Sequence, residues 1–386
     1  MTETKKQLTL FEAAAIVAGL GVGGGILAVP YLAASLGLLQ IIGIMVLAYF
    51  FSLLLHFMVA EMVTRDGGQL QLVELFGKYL FRGRSGVVYT WIFFTLIALT
   101  FFALLAGYLT GCADILLHLT GLPRWAGELA TYVVAAGVAF FGLKAIGISE
   151  KYAVVGIAVV LIILCVGSFG SPWRSLPLWA GWDKKTLAFY GMLMFGFACF
   201  FSVPQAAEGL AWNPRLLPWA IAIGIGLNFI FTLVIALMAL WVSKEVTIEA
   251  TLGWGETVGQ WALVLGAIFT FLAMLTSYWG VSYALAVIVK DRLRWGDRSA
   301  WFFASFPSLL IAISNLTGFL GFMRIAGGAV AVMVALQVVP ALRKVRRAQA
   351  APGPYFNLGF WGGPLFQIMV IMAYLIMAVG SVVPVK

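Results

Sequence analysis

The stretch Gly19-Leu-Gly-Val-Gly-Gly-Gly-Ile-Leu-Ala-Val-Pro30 decides how this chain is read, because it lies inside a long apolar run, Phe11–Leu38. Five of the seven residues from Gly19 to Gly25 are glycine, and each costs a helix about 0.8–1 kcal/mol relative to alanine. A helix so loaded unwinds easily, and its freed backbone groups must then face protein or a watery cavity rather than lipid. The stretch also satisfies G-x-G-x-x-G through Gly19, Gly21 and Gly24. That fingerprint binds a dinucleotide only where a strand precedes it in a soluble βαβ unit, and here the glycines lie within an apolar span. A second reading stays open, tight helix packing through the small pairs Gly21/Gly25 and Gly24/Ala28.

The surroundings of this run are equally apolar. Of 386 residues, 63% are hydrophobic and 10% charged, with a mean hydropathy of +1.03. Soluble domains carry about 45–50% apolar and about 25% charged residues, so no ordinary soluble globule can be built from this mixture. Low polar content and only three cysteines exclude disordered, collagen-like and disulfide-scaffold classes. Runs of roughly 20 apolar residues mark spanning helices. There are eleven: Phe11–Leu38, Gln40–Ala60, Gly86–Leu109, Trp125–Leu143, Tyr152–Phe169, Thr186–Glu208, Leu217–Val242, Val258–Val289, Ala300–Asn315, Ile325–Ala341 and Leu358–Val383. They are apolar all round, unlike the alternating segments of a membrane β-barrel. The first is too long for a signal peptide and has no cleavage site, so no removable leader is expected. The fold expected is an all-α polytopic membrane bundle of 11 transmembrane helices.

Lys and Arg orient the bundle. Seventeen of the 24 basic residues fall on one side: Lys5, Lys6, Arg65, Lys78, Arg82, Arg84, Lys144, Lys151, Arg215, Lys290, Arg292, Arg294, Arg298, Arg343, Lys344, Arg346 and Arg347. Arg124, Arg174, Lys184, Lys185, Lys244 and Lys386 fall on the other, with Arg324 at a helix end. The N-terminus is expected in the cytoplasm and the C-terminus outside, in the cytoplasmic membrane of the cell. The net charge of +9 is then mostly topological and requires no nucleic-acid partner. Gln69–Phe81, with Leu70, Leu72, Val73, Leu75, Phe76 and Leu80 among polar residues, is expected to lie as an interfacial helix on the basic side. Cys112, Cys165, Cys199, His56 and His118 show no metal-ligand spacing and are read as packing and interface residues. Glu12, His56, Glu128 and Glu208 lie near the ends of runs and are read as solvated at the interface.

A second interruption lies in the sixth run, Phe195-Gly-Phe-Ala-Cys-Phe-Phe-Ser-Val-Pro-Gln-Ala-Ala-Glu-Gly209. Pro204 has no N–H and suits the first turn of a helix that restarts after a break; an ordinary proline kink is the alternative. Breaks in corresponding positions of two halves mark inverted-repeat transporters, which bind substrate at the bilayer midplane. Spans one to five (residues 1–170) and six to ten (171–350) would form the inverted halves, a 5+5 repeat with discontinuous helices 1 and 6. Residues 351–386 would add helix 11.

At these residues the chain resembles the amino acid/polyamine/organocation transporter superfamily, and most of all its amino acid/auxin and hydroxy/aromatic amino acid permeases. Gly23-Gly-Gly-Ile-Leu-Ala-Val-Pro30 resembles the first-helix motif, a small-residue run followed by Ile-Leu-x-Leu-Pro. Phe195–Glu208, then Asn213-Pro-Arg215 and Pro218, resembles the sixth-helix pattern, in which Phe-x-Tyr-x-Gly-Phe precedes Ala-Ala-Glu and Asn-Pro. Phe271-Leu-Ala-Met-Leu-Thr-Ser277 is similar to the sodium-binding helix of the neurotransmitter-sodium-symporter branch. The resemblance implies that an α-carboxylate docks on backbone N–H groups at Gly23, Gly24 and Gly25, where a half-helix begins. It implies that carbonyls at Leu20 and Phe195 receive the ammonium group. Ala198 and Cys199 would line the unwound part of helix six, Cys199 standing where relatives usually carry glycine, and Phe102 would pack over the substrate. The hydroxyls of Thr276 and Ser277, with carbonyls of Ala18, Gly21 and Ala273, would hold sodium as the coupling ion, oxygen donors being what a hard cation takes. Some proton-coupled relatives place a lysine in helix five where sodium would sit, and this chain has no Lys or Arg from Tyr152 to Gly170. Glu208 would serve as an inner gate.

The function implied is secondary active transport of an amino acid by alternating access, with sodium symport favoured. A proton-coupled or uncoupled permease or exchanger is the alternative, and a channel is the alternative of another class. No enzymatic activity is expected, since no nucleophile–base pair or metal cluster is apparent. A monomer suffices for this reading, and the oligomeric state stays open.

Overall fold

The computed structural model describes residues 7–68, 70–81, 83–348 and 355–384, and all regular structure among them is helical. The helices are α1 (Leu10–Gly21), α2 (Gly24–Ala33), α3 (Leu38–Arg65), α4 (Leu72–Tyr79), α5 (Gly83–Thr120), α6 (Arg124–Phe140), α7 (Leu143–Gly167), α8 (Lys184–Gly196) and α9 (Ser202–Gly209). They continue with α10 (Leu217–Val242), α11 (Ala250–Val258), α12 (Gln260–Leu293), α13 (Asp297–Ile313), α14 (Phe319–Met333), α15 (Val339–Arg347) and α16 (Pro364–Val382). Seven helical stretches are long and apolar enough to cross a membrane: α3, α5, α7, α10, α12, the α14–α15 run and α16; α1 and α2 count as an eighth if taken as one bent span. The remaining apolar runs are helical but short or interrupted: α6 and α13 have 17 residues each, and residues 197–201 separate α8 from α9.

Both expected breaks are present. Thr9 caps α1 reciprocally with Glu12, the Thr9 hydroxyl accepting from the Glu12 N–H at 3.2 Å. At the other end the helix stops within the glycines, and α2 leaves at a bend of 48°. In the sixth run, helix resumes at Ser202, two residues before Pro204, so the proline occupies the first turn, where its missing N–H leaves no bond unmade. The two broken helices lie side by side and antiparallel, α1 packing on α9 and α2 on α8. Their backbones touch at Gly25 and Gly196: a Cβ on Gly25 would lie 2.5 Å from the Gly196 Cα. Small-residue packing and a helix break therefore coexist here. In lipid, helices associate through such close approach rather than through burial from water.

Around this pair, the apolar core of α5 is 72% buried and that of α16 only 33%, which places α5 inside the bundle and α16 at its rim. α4 buries Leu72, Val73, Leu75, Phe76 and Tyr79 against α5, α12 and α15, and Glu74 pairs with Arg292 at 2.9 Å. Gln69 and Arg82, at the edges of the expected interfacial segment, lie outside the described residues. α11 is a separate short helix that sequence patterning did not distinguish; Gly259, at φ 138°, ends it before α12. Its Trp254 is fully buried and donates to the Ser168 hydroxyl at 2.8 Å. Near the end of the tenth run a π-helical turn, Val334–Val338, precedes Pro340, which cannot donate to the helical ladder.

The expected solvation of the ionisable residues near helix ends is corrected. Glu12, His56 and Glu128 are buried. Glu12 bonds Lys144 at 2.6 Å, and the His56 Nδ1 lies 2.7 Å from the Ser52 carbonyl. α3 runs past its apolar segment to Arg65, so Glu61 is buried too, held by Arg346 at 2.6 Å, Arg65 at 3.0 Å and the Leu358 N–H at 3.2 Å. That cluster ties α3 to α15 and to the segment before α16.

Candidate substrate and ion site

The residues that end α1 and begin α2 are each met by a different neighbouring element. A Cβ on Gly19 would overlap the carboxylate of Glu150 on α7; on Gly21, the amide of Asn228 on α10; on Gly23, the hydroxyl of Ser277 on α12; and on Gly25, the backbone of α8. These four glycines leave the space through which polar groups of three other helices reach the break.

Side chains of neighbouring helices satisfy carbonyls at and beside the breaks. Asn228, fully buried in α10, donates from Nδ2 to the Gly196 carbonyl at 2.9 Å. Ser52 on α3 donates to the Phe197 carbonyl at 2.6 Å, and Gln205 on α9 donates to the Gly280 carbonyl at 3.1 Å. Thus the carbonyls at the end of α8 find side-chain donors in the absence of a continuing helix, as a break at membrane depth requires. The N-cap of α2, Gly23, supplies no side chain to its first turn.

A cavity of about 30 Å³ lies between the breaks. Leu20, Gly21, Gly25, Phe195 and Ala198 line it, joined by Gly196, Phe101, Leu104, Tyr108, Phe201, Val281 and Val330. Such a volume admits about two waters, so an amino acid enters only if the aromatic rings around it move. Phe101 and Phe201 meet edge to face, with centroids 4.8 Å apart.

The expected substrate residues divide accordingly. Leu20, Gly25, Phe195 and Ala198 line the cavity. Gly23 stands beside Ser277 and Tyr108, and Gly24 is the first residue of α2. Cys199 is buried within the second break, its thiol 3.5 Å from the Phe197 carbonyl, and is absent from the lining. Phe102 points away: its ring meets Phe303 edge-on at 5.7 Å, and Phe101 takes the place on the cavity wall.

Of the residues expected at an ion site, Thr276 and Ser277 approach α1 with both hydroxyls. Ser277 donates to the carbonyls of Gly19 at 2.8 Å and Leu20 at 3.2 Å. Thr276 donates to the Ala273 carbonyl at 2.9 Å and reaches Gly19 at 3.3 Å. The α1 carbonyls bonded by these hydroxyls are therefore those of Gly19 and Leu20, whereas the expected Ala18 carbonyl accepts from the Val22 N–H at 2.8 Å. Gly21 faces Asn228 and the cavity. Among the described residues, no three His, Cys, Asp or Glu side chains gather as a metal site.

Glu208 is half-buried on α9, within electrostatic reach of Lys290 on α12. Nearby the two broken helices are laced together: the Leu8 N–H donates to the Gly209 carbonyl at 2.9 Å, and the Trp212 indole donates to the Leu8 carbonyl at 3.0 Å. On the opposite side, the Leu38 N–H bonds the Pro177 carbonyl at 2.8 Å, and the Gln40 Oε1 accepts from the Ala180 N–H at 2.9 Å.

The profile of the tryptophan/tyrosine permease family matches residues 6–381. The chain belongs to that family. No curated protein sequence matches it. Solved structures share its fold at low identity. A variant of the manganese transporter of Eremococcus coleocola is 16% identical over 98% of this chain and 86% of its own, with a TM-score of 0.70. MHP1, a nucleobase-cation-symport-1 family transporter in a closed conformation with bromovinylhydantoin bound, is 15% identical over 99% and 91%, with a TM-score of 0.69. MhsT, in complex with L-phenylalanine, is 14% identical over 97% and 99%, with a TM-score of 0.64. This family member is thus a multi-pass membrane transporter, built on the same broken-helix fold.

Several residues at the permease's site escaped the sequence pattern. Asn228 and Ser52 carried a usable signal, each a polar residue deep in an apolar run. Phe101 and Tyr108 carried none, because α5 is apolar on every face. Glu150 was hidden by its company: Lys144, Glu150 and Lys151 resemble a loop, whereas α7 already begins at Leu143.

Proposed function

We propose that this permease carries an aromatic amino acid across the cytoplasmic membrane by alternating access, driven by a cation. The observation that carries the reading is the convergence of two helix breaks on one buried cavity walled by Phe101, Tyr108, Phe195 and Phe201. The uncapped N-terminus of α2 offers N–H groups and a positive dipole end to the α-carboxylate. The C-terminal ends of α1 and α8 offer carbonyls to the ammonium group, and the rings offer an apolar, polarisable wall to the side chain.

An inverted repeat of five plus five spans, with α16 as the eleventh, is supported by packing that exchanges between halves. α5 packs on α6, α13 and α14 as α12 packs on α13, α6 and α7. The basic residues support a cytoplasmic N-terminus and an external C-terminus. We place the family within the amino acid/polyamine/organocation superfamily on its two helix motifs. Thr276, Ser277 and the Ala273 carbonyl form an all-oxygen cluster with the end of α1, a donor set that suits a univalent hard cation, and sodium is the ion proposed.

The test is ligand-induced thermal stabilisation of the purified protein across the amino acids. Tryptophan, tyrosine or phenylalanine is expected to raise Tm in a saturable way. A profile in which no aromatic amino acid stabilises, or in which small polar ones alone do, would refute the substrate assignment.

A further inference from the structure

Glu150 is an ionisable group beside the break that the proposed function does not use. Its side chain is fully buried in α7, and among the described residues neither carboxylate oxygen has a hydrogen-bond partner. It lies directly against Gly19, whose missing Cβ leaves the space that the carboxylate fills. Gly19 is also the residue whose carbonyl receives the Thr276 and Ser277 hydroxyls. The carboxylate therefore faces the C-terminal end of α1, the negative end of a helix dipole, in a place already lined by carbonyl oxygens.

Among the described residues, no positive side chain balances it. Lys144 and Lys151 on the same helix are engaged by Glu12 of α1, at 2.6 and 4.0 Å. The other charged groups on elements packed against α7 are Glu208 on α9, Lys290, Asp291 and Arg292 at the end of α12, and Arg124 and Glu128 on α6. None forms an ion pair or hydrogen bond with Glu150, and α10 carries no ionisable side chain. A buried carboxylate without a counter-charge is costly in a membrane bundle, and such residues mark ion pathways.

We propose that Glu150 supplies the fixed negative charge that binds the coupling cation, sodium, beside the oxygen cluster of Thr276, Ser277 and the end of α1. With the cation present, the electronegative end of α1 can lie against α7; without it, the carboxylate and the helix terminus repel. The cation thus binds one arrangement of α1 better than the other, which is what coupling requires. This inference rests on the transport reading above and assigns the site of its driving ion.

Wild type and Glu150→Gln are reconstituted in liposomes, and two quantities are read with labelled tryptophan. One is counterflow with equal ion concentrations on both sides; the other is accumulation under an imposed sodium gradient or an imposed pH gradient. Wild type is expected to show counterflow and to accumulate under the sodium gradient and not under the pH gradient alone. Glu150→Gln is expected to keep counterflow and to lose the accumulation entirely. Glu150→Met, which replaces the charge by an apolar chain of similar size, is expected to lose it also while unfolding at a higher temperature than wild type. If Glu150→Gln accumulates tryptophan as wild type does, or if wild type does not respond to the sodium gradient, the assignment is overturned while transport stands. Absence of counterflow in wild type overturns the transport reading and this assignment together.

Discussion

Gly25→Ala tests the backbone contact between the two breaks. The added Cβ would lie 2.5 Å from the Gly196 Cα and 2.9 Å from the Gly196 N, both backbone atoms that no rotamer change can remove. Carbon atoms in ordinary contact sit about 3.5–4.0 Å apart, so α2 and α8 must separate by about 1 Å. Overpacking of this kind costs about 1–3 kcal/mol, against a gain of about 0.8–1 kcal/mol from replacing glycine by alanine in a helix. A net loss of roughly 1 kcal/mol is expected by this arithmetic. Gly226→Ala in α10 is the matched control, because a Cβ there has nothing within 4 Å. It is expected to be neutral or to stabilise by up to about 1 kcal/mol. Thermal unfolding in detergent, followed by tryptophan fluorescence, reads both variants. Gly25→Ala should unfold below wild type and bind aromatic amino acids weakly, while Gly226→Ala should do neither. Gly25→Ala at or above the wild-type Tm, with unchanged binding, would refute the claim that the two breaks meet backbone to backbone.

Asn228→Ala leaves the buried Gly196 carbonyl without its donor, and a loss of about 1–3 kcal/mol is expected; a Tm equal to wild type would show that the second break does not depend on α10. Phe101→Ala opens the cavity wall whereas Phe102→Ala disturbs contact with Phe303, so the first should shift the order of preference among amino acids and the second should leave that order intact. Reversal of the two outcomes in a competition binding assay would restore Phe102 to the site. Thr276→Val keeps the volume of the side chain while removing its bonds to Ala273 and Gly19; weaker stimulation of uptake by sodium is expected, and an unaltered response would remove the hydroxyl from the ion site.

What could be read from the sequence follows from what each signal is made of. The first break was legible because glycines so concentrated have few uses inside an apolar run, and the second because Pro204 suits the first turn of a helix that restarts. Which face of α5 meets the cavity was illegible. A helix apolar all round has no periodicity to choose Phe101 over Phe102, and only the packing of neighbouring helices does so. Glu61 and Glu150 failed for the opposite reason. Charge at the end of an apolar run reads as departure from the membrane, whereas α3 and α7 extend past those runs and turn the carboxylates inward. α11 was merged into the loop before α12, because its Gly253, Trp254 and Gly255 carry neither a strong helical pattern nor the length of a span.

The central claim is that two broken helices form one aromatic amino acid site that opens to either side of a membrane. Counterflow in proteoliposomes measures this most directly. Vesicles loaded with unlabelled tryptophan and diluted into trace labelled tryptophan should take up label transiently above equilibrium, and loading with tyrosine or phenylalanine should drive the same overshoot. Label that only equilibrates, whatever amino acid is loaded inside, would contradict the account.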